Sequence, residues 1–123
     1  MKVVISNRSE LPIYAQITEQ LREQILNGQI AEGTVLPSIR QLAKELGVSV
    51  ITTTRAYKEL EESGFIVSVQ GKGSIVLGSK NDLVREQYLK RMEEHLEQAI
   101  LTGRQIQLSD KEIQAAFTAL LKS

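Results

Sequence analysis

The chain has 123 residues, with 15 Lys and Arg balanced by 15 Asp and Glu, so its formal charge is zero. That length suits one domain plus an appendage and leaves no room for a barrel or a two-domain enzyme. Cysteine is absent and His95 is the sole imidazole, which excludes a disulfide scaffold and a thiolate zinc site. Hydrophobic residues make up 41% and charged residues 24%, the profile of an ordinary folded protein rather than a disordered one. No apolar run approaches the roughly 18 residues needed to cross a bilayer, and MKVVISNRSELP lacks the apolar core of a secretory signal. A soluble, cytoplasmic chain without membrane contact is expected.

The first predicted helix spans Leu11 to Asn27, where Ile13, Ile17, Leu21 and Ile25 share one face and Glu and Gln fill the other. Pro12 suits its first turn and Gly28 its stop, and Gly33 and Pro37 punctuate the connection that follows. Ser38 opens a second helix, with Gln41 as capping-box partner and Ile39, Leu42, Ala43 and Leu46 as its stripe; Gly47 ends it. Two residues later Ser49 caps a third helix, in which Thr53, Ala56, Tyr57 and Leu60 fall on one side before Gly64. Two short helices joined by a tight glycine turn read as a helix-turn-helix, although the spacing alone also fits an ordinary three-helix core.

Past Gly64 the period changes to 2. Phe65, Val67 and Val69, then Ser74 to Leu77, flank Gln70-Gly71-Lys72-Gly73, predicting a β-hairpin with a glycine tip. The expected fold is mainly α with a small β-hairpin, an N-terminal winged helix-turn-helix over residues 1–78. Gly78-Ser79-Lys80-Asn81 reads as a joint to a region covering 79–123. There a long helix is predicted from about Asp82 to Thr102, stopped by Gly103, and a last one begins at Ser109 with Glu112 as capping-box partner. Val84, Tyr88, Met92, Leu96 and Ile100 stripe the first; Ile113, Phe117 and Leu120 stripe the second. Two such helices cannot bury this surface between themselves, so a short C-terminal helical dimerisation tail is inferred.

Within Pro37 to Lys58 four cations, Arg40, Lys44, Arg55 and Lys58, face one acid, Glu45. The helix-turn-helix is therefore locally basic within a neutral chain, and one face would draw a phosphate backbone. In such motifs the second helix enters the major groove with its N-terminal residues on base edges. Here those are Ser49, Val50, Ile51 and Thr52, with Thr54, Arg55 and Lys58 further along the outward side. Val50 and Ile51 suit thymine methyls, Ser49 and Thr52 phosphate oxygens, and Arg40 a phosphate or a guanine edge. Gly71, Lys72 and Gly73 allow a close approach to a groove. Arg40 and Arg55 also have Glu45 and Glu59 as potential partners. No nucleophile, base and acid set can be assembled around His95, so neither an enzyme nor a metal or cofactor site is expected.

Several separated strings resemble the GntR family of bacterial transcription regulators: Pro12 to Ile17, Leu36-Pro37-Ser38-Ile39-Arg40-Gln41-Leu42-Ala43, Leu46-Gly47-Val48-Ser49, and Arg55-Ala56-Tyr57-Lys58-Glu59-Leu60-Glu61. Gly71-Lys72-Gly73 completes the set. The Arg-Ala-Tyr triplet and the short tail are similar to its YtrA-like subfamily. The resemblance implies a homodimeric regulator on double-stranded DNA bearing a two-fold symmetric operator, and a repressor is the reading adopted. It implies DNA contacts from Arg40, from Ser49, Val50, Ile51, Thr52 and Thr54, and from Gly71 with its neighbours. Val50 and Thr54 stand where family members often carry Arg, so fewer guanine contacts are expected. Thr53 and Ile75 replace the usual Val and aromatic as packing variations. The stretch after Gly78 is too short for the effector domain of larger relatives. A sensor holding an unknown small molecule or metal between wing domain and tail, and a winged-helix protein-interaction module without DNA, are the rival readings.

Overall fold

A computed structural model describes residues 1–78 and 81–123, in the order α1 (Ile13–Leu26), α2 (Ile39–Leu46), α3 (Val50–Glu62), β1 (Ile66–Val69), β2 (Gly73–Val76), α4 (Asp82–Gln105) and α5 (Asp110–Leu121). Ser79 and Lys80 of the expected joint lie outside the described residues. The chain divides into two compact units, Met1–Arg85 and Glu86–Ser123, and the division falls inside α4 rather than at residue 78.

In the first unit, most of each helical row predicted from periodicity forms the core, but Ile13, expected on the buried face of α1, is 37% exposed in its first turn, and Ile39 and Leu46 of α2 are half-buried. Ile17, Leu21 and Ile25 of α1 are buried, as are Leu42 and Ala43 of α2 and Thr53, Ala56, Tyr57 and Leu60 of α3. Each fully buried Leu or Ile contributes about 1.5–3 kcal/mol relative to exposure. Thr18 and Thr53, buried hydroxyls in this core, donate to the carbonyls of Tyr14 and Ser49 at 2.9 and 3.2 Å. Both polar groups are thus satisfied within their own helices.

The hairpin pairs Ile66 with Val76, Val67 with Ile75, Ser68 with Ser74 and Val69 with Gly73. Its buried face departs from the alternation of Phe65, Val67 and Val69. Phe65 precedes the strand and drops into the core from the turn after Gly64, so the pleat begins at Ile66. Ile66 and Val76 are buried opposite one another and Val67 is exposed. A further extended piece, invisible in the sequence, borders β2. Val35 bridges Ile75, the Val76 N–H donates to the Thr34 carbonyl (2.9 Å) and the Leu36 N–H to that of Ser74 (2.9 Å). This piece occupies an otherwise open strand edge.

Residues 2–6 run along α1, held by glutamine side chains one helical turn apart. Gln20 accepts from the Val4 N–H at 2.9 Å and donates to the Val4 carbonyl at 2.8 Å. Gln16 does the same for Ser6, and Gln24 for Lys2. Alternate residues of an extended chain thus meet successive turns of a helix, because two strand residues and four helical residues advance by similar lengths.

In the second unit, α4 continues past Thr102, and Gly103 is not the expected stop. It lies buried inside the helix, where an added Cβ would stand 3.0 Å from Ile113 Cγ1. Its service is close approach of α5, and the helix is instead closed beyond Gln105. There Gln107 takes a left-handed φ of 66° and the Leu108 N–H reaches back to the Gly103 carbonyl at 3.1 Å. The predicted capping box of α5 is complete. Ser109 accepts from the Glu112 N–H (3.2 Å) and Glu112 from the Ser109 N–H (3.0 Å). Those bonds hold the exposed Glu112 carboxyl below its ordinary pKa. At α2 only half the box forms: Ser38 accepts from the Gln41 N–H, but the Gln41 amide turns to Glu45.

Candidate nucleic-acid interface

The turn between α2 and α3 sets the interface. Gly47 takes φ 67°, a conformation that favours glycine, and the Val48 N–H returns to the Ala43 carbonyl at 3.0 Å. Ser49 then caps α3 by accepting from the Thr52 N–H at 3.0 Å. Burial of Thr53, Ala56, Tyr57 and Leu60 fixes the rotation of α3, leaving Ile51, Thr54, Arg55 and Lys58 on its outer side. The Tyr57 hydroxyl donates to the Pro37 carbonyl at 2.6 Å, tying α3 to the entry of α2 and so to Arg40. Burial first, and the Glu45 carboxylate second, push the Tyr57 pKa far up, so it remains a donor across the physiological range.

Each predicted contact residue can now be located. Val50 is exposed and Ile51 is 82% exposed, so the chain itself leaves the tip of α3 uncovered. The Ser49 hydroxyl donates to Thr52 Oγ1 at 2.9 Å, which leaves the Thr52 proton as the one free to face an anion. Arg40 and Lys58 are exposed and form no ion pair among the described residues. Thr54 is exposed one turn before Lys58 on α3. Arg55 is differently placed: its guanidinium lies 3.7 Å over the Tyr14 ring, with Glu59 at 3.9 Å. At the wing, the Lys72 N–H closes a turn on the Val69 carbonyl at 2.9 Å, and Gly71 and Gly73 have φ of 81° and 97°. Lys72 stands exposed at the tip.

The residues predicted for the dimer seam separate. Val84 is 2% exposed inside the first unit, so it has no surface to offer a partner; the first turn of α4 completes the winged-helix core instead. Tyr88 is half-buried with the Arg91 guanidinium 4.8 Å from its ring centroid. Met92, Leu96, Ile100, Phe117 and Leu120 are exposed, and Ile113 is half-buried against Gly103. Between α4 and α5 lies an apolar groove of roughly 770 Å³, floored by Gly103 and Ile113 and walled by Leu96, Ile100, Phe117 and Leu120. His95 is exposed, and no cluster of three metal-ligating side chains occurs among the described residues.

Residues 13–76, helix-turn-helix and wing together, match the family model described as bacterial regulatory proteins, gntR family. The chain belongs to the GntR family. Among GntR relatives, the transcriptional repressor YtrA of Bacillus subtilis is 35% identical over 99 residues, covering 80% of this chain and 76% of that protein. The solved structure of YtrA from Sulfolobus acidocaldarius, a GntR-family transcription factor, superposes with a TM-score of 0.65 at 30% identity, covering 98% of this chain and 97% of that one. The DNA-binding domain of AraR, solved in complex with operator ORX1, matches 62% of this chain and 95% of its own, at 32% identity and a TM-score of 0.53. The GntR fold accounts for a neutral chain with a basic helix-turn-helix: this protein is a DNA-binding transcriptional regulator. Among its described residues no helix is long and apolar enough to cross a membrane.

Sequence reasoning assigned Tyr14 no role of its own. Its position in the first turn of α1, beside a predicted α3 cation, becomes visible only once the two helices are packed.

Proposed function

We propose that the chain is a transcriptional repressor that binds a two-fold symmetric operator as a homodimer in the bacterial cytoplasm. The observation that carries the reading is the bare outer side of α3: Val50 and Ile51 are exposed at its start, Lys58 is exposed two turns on and Arg40 is exposed in α2, with no carboxylate paired to either cation among the described residues. Exposed β-branched residues at a helix start gain nothing from water, but they fit thymine methyls in a major groove. Around them Thr52, Thr54 and the cations supply phosphate contacts, and Lys72 at the wing tip reaches the flanking backbone or minor groove. The work is divided between residues 1–78 on DNA and 79–123 in pairing, with Val84 serving the former.

Pairing is supported by the apolar stripe of the second unit, which exceeds what two helices bury by themselves. A two-fold axis through such a stripe would set the spacing of two recognition helices, hence the spacing of operator half-sites. A second reading draws on the α4–α5 groove, whose size falls within the range of small-molecule pockets. An effector there would raise the melting temperature of the chain in a ligand screen.

The deciding experiment is gel retardation of the DNA upstream of the chain's own gene, followed by footprinting. Arg40→Ala is expected to weaken binding by about 1–3 kcal/mol at fixed salt. Unchanged affinity would remove Arg40 from the interface, and no retardation at all would favour a protein-interaction module.

A further inference from the structure

We infer that Tyr14 is a positioning residue whose ring holds the Arg55 guanidinium ready to clamp a DNA backbone phosphate where the start of α1 meets α3. The inference rests on the DNA-binding reading and adds a residue to it. The guanidinium is stacked 3.7 Å over the ring, so its face is occupied while its N–H donors, which lie in its plane, point away from the ring edgewise. Those donors make no hydrogen bond among the described residues. Glu59 stands at 3.9 Å from Nε, too far for one, and the Arg55 side chain remains 60% exposed.

Two further features make this corner seek an anion. Tyr14 lies in the first turn of α1, which has no acidic residue there and no side chain capping it, so the amides of that turn are unspent. Arg55 also lies one turn beyond Ile51 on the outer side of α3, in line with the tip that would enter the groove. A planar guanidinium fork suits a phosphate, which accepts two parallel bonds from one guanidinium. A free arginine surrenders much of its rotamer freedom on forming such a pair, and stacking on Tyr14 incurs that loss before DNA arrives.

The test uses the full chain and a 40-base-pair duplex of mixed sequence, titrated by fluorescence anisotropy over a series of salt concentrations. Each phosphate contact adds about 0.9 to the steepness of log affinity against log salt. Arg55→Gln and Tyr14→Leu should each lower that steepness by about one contact and weaken binding about 3- to 10-fold at low salt. Tyr14→Phe, which keeps the ring, should match the parent, and the double variant Tyr14→Leu with Arg55→Gln should be no weaker than Arg55→Gln alone. An unchanged salt dependence in either single variant, or losses that add in the double variant, overturns the assignment. Where Tyr14→Leu does not fold, Arg55→Lys at the exposed position 55 decides the matter, since it keeps the charge and loses the planar stack: a loss close to that of Arg55→Gln supports the assignment, and binding equal to the parent overturns it. A parent chain that binds no duplex sinks the DNA reading itself, a result distinct from one in which the parent binds and the variants match it.

Discussion

The two units spend their apolar residues in opposite ways. In Met1–Arg85 the side chains of Ile17, Leu21, Leu42, Leu60, Phe65, Ile66 and Val76 are all but removed from water, and among the described residues no buried side-chain polar atom lacks a partner. In Glu86–Ser123 no residue of α5 is buried, and Leu96, Ile100, Phe117, Leu120 and Leu121 stay exposed. A winged helix closes on itself because three helices and a hairpin surround one centre; a helical pair has only one shared face. The difference separates apolar residues that make a fold from those that seek a neighbour.

That contrast can be broken from either side. Leu21→Ala should have the largest effect, about 2–5 kcal/mol lost in urea unfolding, because a cavity opens where nothing can collapse. A cost below about 1 kcal/mol would mean that the first core is less complete than its burial implies. Phe117→Asp should weaken self-association about tenfold or more in sedimentation equilibrium, with the winged-helix melt unchanged. If the parent chain is monomeric at micromolar concentration, the second unit has some other partner or none.

Tyr57→Phe tests the tie between α3 and Pro37 within the closed unit. Loss of one hydrogen bond to a part-buried carbonyl should cost about 1–2 kcal/mol. Because folding raises the Tyr57 pKa, its contribution is fully present below the ordinary tyrosine value and is lost as pH rises beyond it; the Phe variant should lack that alkaline loss. The smallest effect is expected at the α5 cap. Folding lowers the Glu112 pKa, so its contribution is present above the ordinary carboxylate value and fades as pH falls through the folded one. Helical circular dichroism should decline slightly on acidification in the parent and less in Glu112→Gln, whose amide cannot titrate.

Much of this was legible in residue order. Apolar rows at helical spacing placed α1, α2 and α3, because a row such as Thr53, Ala56, Tyr57 and Leu60 has one way to be buried. The capping serines were readable for the same local reason, since Ser49 and Ser109 act within four residues of themselves. Gly103 misled because a glycine after a long periodic run reads as a terminus, whereas its purpose here is set by Ile113, ten residues later. Val84 misled similarly: periodicity reports that a residue is buried, not which unit buries it. Nothing local announces the bridge of Val35 to Ile75 or the stacking of Arg55 on Tyr14, for these depend on how distant pieces pack. The outward residues of α3 were legible as a face, while the pairing of the Ser49 and Thr52 hydroxyls required coordinates.

The three amide rungs that bind residues 2–6 to α1 carry no charge. Added electrolyte and moderate acid therefore leave this attachment intact, whereas contacts to a polyanion are screened. Ionic titrations of complex formation will consequently report on the surface around α3 without a concurrent loosening of the leading segment, and an N-terminal reporter dye should stay in register throughout them.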